Sequence, residues 1–246
     1  MKNLIRGHIY QLKRDSFFFG CLAVGVVYLF MSIRLTLSLA SALSPLTGVD
    51  GLLDIFLGGD TILYAFMLLI ANMVAETYRS GVMKNIVGRG IAKKQYYLSI
   101  VLTVSTAYVL VMLIGGIVMA ALAGSQYGMG TISYPGYYAL AIIARILFAV
   151  AHISFAVTMT VLTRNVITGV ALALVIPNIP QILEMALGFF KIQLSLDFLK
   201  ISAHMPSVYA ASNDLSSFVP CFLVLCGYLI VSIFAGFMLL KHQDIK

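Results

Sequence analysis

Few residues in this chain can do chemistry. It has four histidines, His8, His152, His204 and His242, scattered with no metal-ligand spacing. Glu76 and Glu184 lie far apart and make no paired-glutamate protease motif. No G-x-x-x-x-G-K-[ST] loop is present to cradle the phosphates of ATP, and Gly88-Arg89-Gly90 is only a turn signal. The chain is therefore expected to bind no cofactor itself. If ATP and Mg serve its activity, they sit on another chain.

The remaining candidates are polar groups inside apolar runs. An Arg at the centre of a span costs about 2.5–3.5 kcal/mol on insertion scales, so Arg145 needs a reason to be there. Tyr138, Arg145 and His152 are each seven apart and share one helix face. Asn178, Gln181 and Glu184, each three apart, form a second polar stripe. Arg145 lies roughly 12 Å into its run and Glu184 roughly 9 Å from the end of its own, at 1.5 Å per residue. Those depths suggest an Arg145–Glu184 ion pair, which either holds two helices together or lines a substrate path.

The elements that must position these residues are membrane helices. The chain is 61% hydrophobic and 10% charged, where a soluble protein carries about 25% charged residues. A bilayer core about 30 Å thick needs roughly 20 apolar residues per helix. Runs at about 16–38, 61–78, 96–122, 137–161, 166–189 and 218–240 meet that length. This predicts a single all-α transmembrane domain, 1–246, with six spans. The first run is long for a signal-peptide core, and no small-residue cleavage site follows it. Residues 2–14, with Leu4, Ile5, Ile9 and Leu12 among basic residues, read as an interfacial helix. The stretch 41–60 reads as an external connection whose acids Asp50, Asp54 and Asp60 have no nearby base. The segment 190–217 reads as a longer external connection, with Leu194, Phe198 and Ile201 on the face of a short helix. Gly115-Gly116 and Gly20/Gly25 are candidate sites of close helix approach. Pro177 and Pro180 make the fifth span a candidate for a kink or a gate, the kink being the commoner result. Cys21, Cys221 and Cys226 fall in apolar runs and read as small core residues.

Charge orients the spans. Twelve of the sixteen Lys and Arg residues fall at the N-terminus, the loop after the second run, the fourth–fifth turn and the C-terminal tail. The opposite side has Lys191 and Lys200. The positive-inside rule then predicts both termini in the cytoplasm of a multi-pass cell-membrane protein. The net charge of +7 reports this topology rather than nucleic-acid binding.

One loop stands out, running from Glu76 through Arg79, Gly81, Lys84 and Asn85 to Lys93-Lys94 and Tyr96-Tyr97. Glu76 ends the second run, Arg79 to Val87 is helix-compatible, and Gly88 and Gly90 break it. With the basic N-terminal helix, six spans and an extended segment before the sixth, the chain resembles the permease subunits of type-2 ABC exporters, in particular peptide-export and lantibiotic-immunity members. The resemblance spans nearly the whole chain, and its motifs are degenerate. It implies an elbow helix at 2–14 and a cytoplasmic coupling helix at Tyr78 to Val87 that docks on a separate ATP-binding subunit. Glu76, Tyr78, Arg79, Gly81, Lys84 and Asn85 would be its contacts. It also implies a second permease chain, identical or related, a bacterial setting, and export of an amphipathic or hydrophobic substrate such as a peptide or antibiotic. Arg34 has no role in that pattern. The competing readings are a non-transporting membrane anchor or sensor, a proton-coupled secondary transporter using Arg145, His152 and Glu184, and an intramembrane enzyme. The missing catalytic motifs count against the enzyme, and the absence of an internal repeat counts against the secondary transporter.

Overall fold

A computed structural model describes residues 2–42, 47–58, 60–131, 135–190, 195–196, 199–200 and 218–242. The predicted short helix on Leu194, Phe198 and Ile201 lies outside these residues. The described residues are all-helical: α1 (Lys2–Arg14), α2 (Ser16–Ala42), α3 (Gly48–Gly58), α4 (Asp60–Arg79), α5 (Val82–Gly88), α6 (Lys93–Tyr127), α7 (Pro135–Thr163), α8 (Val166–Phe189) and α9 (Phe218–His242). Among the described residues, six segments are long and apolar enough to cross a membrane: α2, α3 with α4, α6, α7, α8 and α9. The expected six-span, all-α architecture is borne out, and helices of 24 to 35 residues (α8, α6) exceed the minimum for crossing.

The central helix is α7. Every residue from Ala151 to Val161 is buried, and α4, α6, α8 and α9 all pack against it. A stretch buried on every side belongs at the axis of a bundle. By contrast α2 is the least covered span, with Val27, Phe30 and Met31 open to its surroundings. Small residues set the closest approaches. Gly169 of α8 lies on the Thr160 backbone of α7, and Gly236 of α9 lies on the Tyr97 ring of α6. Gly115 and Gly116 receive Leu29, Ile55 and Phe56, as the small-residue expectation required. Gly20 and Gly25 have no neighbour within 4 Å, so their expected close approach is not made within this chain.

One element departs from expectation. The stretch 41–60 is not simply a connection, because residues 48–58 form α3 and pack along α6. Leu52, Ile55 and Phe56, at helical spacing, supply its apolar face despite the Ser, Gly and Asp around them. Thr47 caps it. Its hydroxyl accepts from the Asp50 amide (3.4 Å) and donates to the Asp50 carboxylate (2.6 Å). The amides of Gly48 and Val49 donate to the carbonyls of Gly128 and Met129, each at 3.1 Å, so two orphan donors of the first turn are satisfied by the end of α6. That docking lays α3 along α6, and α4 starts at Asp60 and packs against α7.

At the basic end, α1 lies across α6. His8 is buried, its Nε2 hydrogen-bonds the Ser99 hydroxyl at 3.1 Å, and its ring meets Tyr96 edge-on. Burial disfavours the imidazolium and lowers the His8 pKa from 6.5 to about 4. Lys93 donates to the Leu240 carbonyl at 2.9 Å, closing the C-terminal turn of α9.

Two outcomes follow from this packing. A methyl group at Gly169 would lie 2.9 Å from the Thr160 Cα, which cannot move aside. Gly169→Ala should cost about 1–3 kcal/mol and lower the melting temperature in detergent, while Gly227→Ala, with open space around it, should not. His8 is neutral when docked, so α1 docking is full above pH 6.5 and weakens as pH falls from 6.5 towards 4, by roughly 3 kcal/mol at most. Amide exchange in α1, corrected for its intrinsic pH dependence, should speed up across that window in the native chain and not in His8→Gln.

Candidate functional site

The intramembrane arginine is fully buried and paired, but not with Glu184. Arg145 Nη2 lies 2.7 Å from Asp60 Oδ1. This corrects the expected Arg145–Glu184 pair. Glu184 is instead bound to the Lys200 ammonium and the Leu196 amide. The physical reason is depth along α7. Arg145 is ten residues from Pro135, about 15 Å, and α3 carries the chain inward so that Asp60 begins α4 at that level. The reading of Asp60 as an acid without a nearby base fails for the same reason.

Around the pair lies a polar and aromatic cluster. The guanidinium carbon sits 4.9 Å from the centroid of Phe148, a cation–π contact. Phe148 in turn packs on His152 at 4.2 Å between ring centroids, and His152 Nδ1 donates to the Phe148 carbonyl at 2.9 Å. Tyr64 and Tyr108 lie within electrostatic reach of both charges. His152 therefore does share a neighbourhood with Arg145, as its spacing predicted, one turn of Phe148 intervening. The two partners differ sharply in exposure: the Arg145 side chain is 1% exposed and that of Asp60 is 52% exposed. The carboxylate is reachable from outside the chain, and the guanidinium is not.

Asp60 heads an uncovered stripe on α4. Its other faces are buried by Ile62, Leu63, Phe66, Met67, Leu69 and Ile70. On the open face Asp60, Tyr64 (43% exposed), Leu68 (38%), half-buried Asn72 and exposed Glu76 recur every four residues. A helix face turned to lipid is normally apolar, because polar groups in hydrocarbon cost several kcal/mol when unsatisfied. Four of these five residues are polar or carry a hydroxyl. The stripe ends in a cavity of about 580 Å³ at the basic end, lined by Gln11, Arg14, Asp15, Phe17, Asn72 and Glu76. Asn72 and Glu76 do share a face, and they turn it towards the α1–α2 corner.

Beyond Glu76, the helix boundary differs from expectation. Tyr78 and Arg79 are the last turn of α4, not the start of the loop helix. Ser80 hydrogen-bonds back to the Glu76 carbonyl through both its amide (2.9 Å) and its hydroxyl (2.7 Å). Gly81 then takes a left-handed conformation, φ 70°, which glycine adopts without a Cβ penalty. The short helix is Val82–Gly88. It buries Met83 in the main core and exposes Val82, Lys84 and Asn85. Arg79 is exposed on the same end of the molecule. Tyr78 is half-buried and receives the Arg164 guanidinium over its ring at 5.7 Å. Arg164 holds φ 53°, unusual for a non-glycine residue, between the end of α7 and the Asn165 cap of α8, whose side chain accepts from the Ile167 and Thr168 amides.

The fifth-span residues are not assembled with Arg145. Asn178 and Gln181 are exposed, and Asn178 Nδ2 donates to its own helix at the Leu174 carbonyl, 2.7 Å. Helix α8 runs through Pro177 and Pro180 without interruption, so no broken-helix gate is formed there.

Two groups escaped the sequence reading. Asp60 is one; its signal was the apolar face of Leu52, Ile55 and Phe56, which makes the preceding stretch a helix at depth. The other is the Tyr97 hydroxyl, bonded to the hydroxyls of Ser154 (2.8 Å) and Thr158 (2.9 Å), with Ser154 bonded to Ser232 (2.7 Å). This seam joins α6, α7 and α9, and the sequence shows it only as isolated hydroxyl residues in apolar runs. In comparisons with known proteins, no family model, curated protein or solved structure matches the chain.

The corrected pairing gives a direct outcome. Asp60→Asn should destabilise the protein by about 1–3 kcal/mol, less than the 3–5 kcal/mol of a fully buried pair because Asp60 is half exposed. The exchange Asp60→Arg with Arg145→Asp should recover part of that loss. Glu184→Gln weakens only the contact with Lys200, so its own cost should add to that of Asp60→Asn without coupling. Thermal unfolding of the three variants in detergent separates the two pairings.

Proposed function

We propose that the chain is the permease subunit of an ATP-driven exporter that moves an amphipathic or hydrophobic substrate, a peptide or antibiotic, out of a bacterial cell. In this reading two copies, or this chain and a related one, face each other, and two separate ATPase subunits bind below them. Both termini and α5 lie on the cytoplasmic side, as the clustering of Lys and Arg favours. The observation that carries the reading is the polar stripe on α4. Asp60 and Tyr64 are exposed and Asn72 and Glu76 line the cavity beside α1 and α2, and polar groups so placed along a membrane helix call for water or protein opposite them, not lipid tails. A path between two copies supplies both.

Helix α4 also offers a mechanical link. It is a 20-residue helix, about 28 Å from Asp60 to Arg79 at 1.5 Å per residue, and it is followed within three residues by α5. A displacement of α5 by a partner would move the whole rod and with it the Asp60 carboxylate. Lys84, Asn85 and Val82 form the exposed side of α5 available to such a partner, with Arg79 beside them. Glu76 faces the α1–α2 corner and is better cast as a support for the elbow than as a docking contact.

A proton-coupled secondary transporter is the second reading. The cluster of Asp60, Arg145 and His152 favours it, since ionisable groups within a membrane mark ion paths. One experiment separates the two. The chain is co-purified with the ATPase encoded beside its gene and reconstituted in liposomes. Stable association, weakened about tenfold or more by Lys84→Glu with Asn85→Glu, and export dependent on ATP are expected. Absence of association, together with transport driven by a proton gradient alone, would overturn the permease reading.

A further inference from the structure

We propose that the cavity at the α1–α2 corner binds the headgroup of a phospholipid with a primary ammonium, of which phosphatidylethanolamine is the simplest. The proposal needs only that α2 and α4 cross a membrane and is independent of the permease reading. The cavity lies at the boundary of the bilayer. The first span begins at Ser16, and Ser16 and Phe17 line the cavity. Glu76, on its other wall, is three residues from the end of α4 at Arg79, about 4.5 Å. Both helices therefore put the cavity within about a turn of the end of a span, where a phospholipid changes from tail to headgroup. Its volume of about 580 Å³ falls within the roughly 300–1,000 Å³ of small-ligand sites.

Charge names the ligand. Arg14, Asp15 and Glu76 line the cavity, and none of the three makes an ion pair with a described residue. Arg14 Nη1 donates to the Tyr10 hydroxyl at 2.7 Å, and its guanidinium lies 5.5 Å from the centroid of that ring. Those contacts hold the side chain and leave its other N–H groups for a phosphate. Asp15 Oδ1 accepts from the Phe17 amide at 2.9 Å, which fixes this carboxylate at the start of α2 with Oδ2 to spare. The Glu76 carboxylate is exposed and accepts no hydrogen bond from a described residue. Two carboxylates against one guanidinium disfavour a headgroup of net negative charge. A zwitterion answers all three, its ammonium to Asp15 and Glu76 and its phosphate to Arg14. A primary ammonium brings three donors to the carboxylates. A quaternary ammonium brings none and seeks aromatic faces instead, and the Tyr10 ring already carries Arg14.

The same charges argue against a second copy as the occupant. In a two-fold contact the patch would meet itself, setting four carboxylates against two guanidiniums. A headgroup, with the water around it, gives Asn72 and Glu76 the polar surroundings they call for. The tail has apolar surface to follow. Phe17 is 39% exposed beside the cavity, and Leu68, 38% exposed, lies eight residues from Glu76 on the same face of α4, about 12 Å deeper.

The test titrates the full chain, delipidated in detergent, with phosphatidylethanolamine, phosphatidylcholine and phosphatidylglycerol of identical acyl chains, and counts bound lipid by native mass spectrometry. One phosphatidylethanolamine should bind about fivefold or more tightly than either of the others. Glu76→Gln should bring it down to the phosphatidylcholine level and leave phosphatidylcholine unchanged. Arg14→Gln, which removes the phosphate contact, should weaken both. Should Glu76→Gln lower the melting temperature, stepwise N-methylation of the lipid amine reads the same contact from the ligand's side, each methyl lowering the affinity of the native chain. Glycerophosphoethanolamine, the headgroup without tails, should compete only at about a hundredfold higher concentration; competition at equal concentration makes a soluble amine the ligand and overturns the proposal. Equal binding of the three lipids, or a preference indifferent both to Glu76→Gln and to N-methylation, would sink it. So would a disulfide between two copies carrying Asn72→Cys in a chain without its native cysteines, which makes a second chain the occupant.

Discussion

A fully buried guanidinium in a membrane helix is the constraint from which much of this architecture follows. Arg145 is 1% exposed, and an uncompensated charge there would cost several kcal/mol, a large share of the roughly 5–15 kcal/mol by which folded domains are stable. It sits on the axial helix, so the compensating carboxylate must come from a neighbour at the same depth. The chain meets this by bringing its second crossing segment in two pieces. The first, α3, follows α6; the second, α4, follows α7 more closely. Asp60 stands where the chain changes partners. The Thr47 cap, the Gly128 and Met129 carbonyls, and the small residues Gly48, Gly115 and Gly116 all serve to set α3 close enough to α6 for Asp60 to reach.

Two polar assemblies inside the bundle make a useful contrast. In the Tyr97 seam, hydroxyls from three helices satisfy one another, and the Ser232 carbonyl accepts from Thr158 at 3.0 Å. All members are buried, and Gly236 lies flat against the tyrosine ring. Such a network has one good arrangement and resists displacement. The Asp60–Arg145 pair has one partner sealed in protein and the other half open. Its strength depends on what lies against the open side, because the effective dielectric there decides the Coulomb energy. The seam therefore fixes α6, α7 and α9 as a unit, and the pair leaves α4 sensitive to its surroundings.

The sequence was legible where a signal was long and repeated. Six apolar runs, the basic α1 and the glycine-bounded short helix could each be read from composition and spacing. Boundaries moved at Tyr78 and Arg79 because helix α4 continues until Ser80 and Gly81 turn the backbone, and helix-compatible residues on both sides of that turn conceal it. The pairing of Arg145 was not legible. Depth along a helix can be counted only from a known end, and the residues before Asp60 read as a connection, which hides where the second span begins. Their apolar face comprises Leu52, Ile55 and Phe56, too short a run to stand out from Gly48, Asp50, Gly51 and Asp54. That face is a local signal for a helix, but its depth beside α7 is set by tertiary contact with Gly115 and Gly116, which no local rule foresees.

In the proposed permease the position of the pair has a mechanical meaning. Helix α4 is gripped along most of its length by apolar contacts that are non-directional and tolerate small sliding. Its two ends are held by directional contacts: the carboxylate on Arg145 at one, and the Tyr78 ring under Arg164 at the other. An element held this way moves by exchanging end contacts rather than by deforming in the middle. Because Asp60 is half exposed, breaking its contact costs about 1–3 kcal/mol rather than the full penalty of a buried pair. That lies in the range of coupling energies by which one site biases another. A fully buried Asp60 would lock α4 to α7; a fully exposed one would leave Arg145 too weakly compensated for the span to be stable. The half-open geometry is the arrangement that satisfies both requirements.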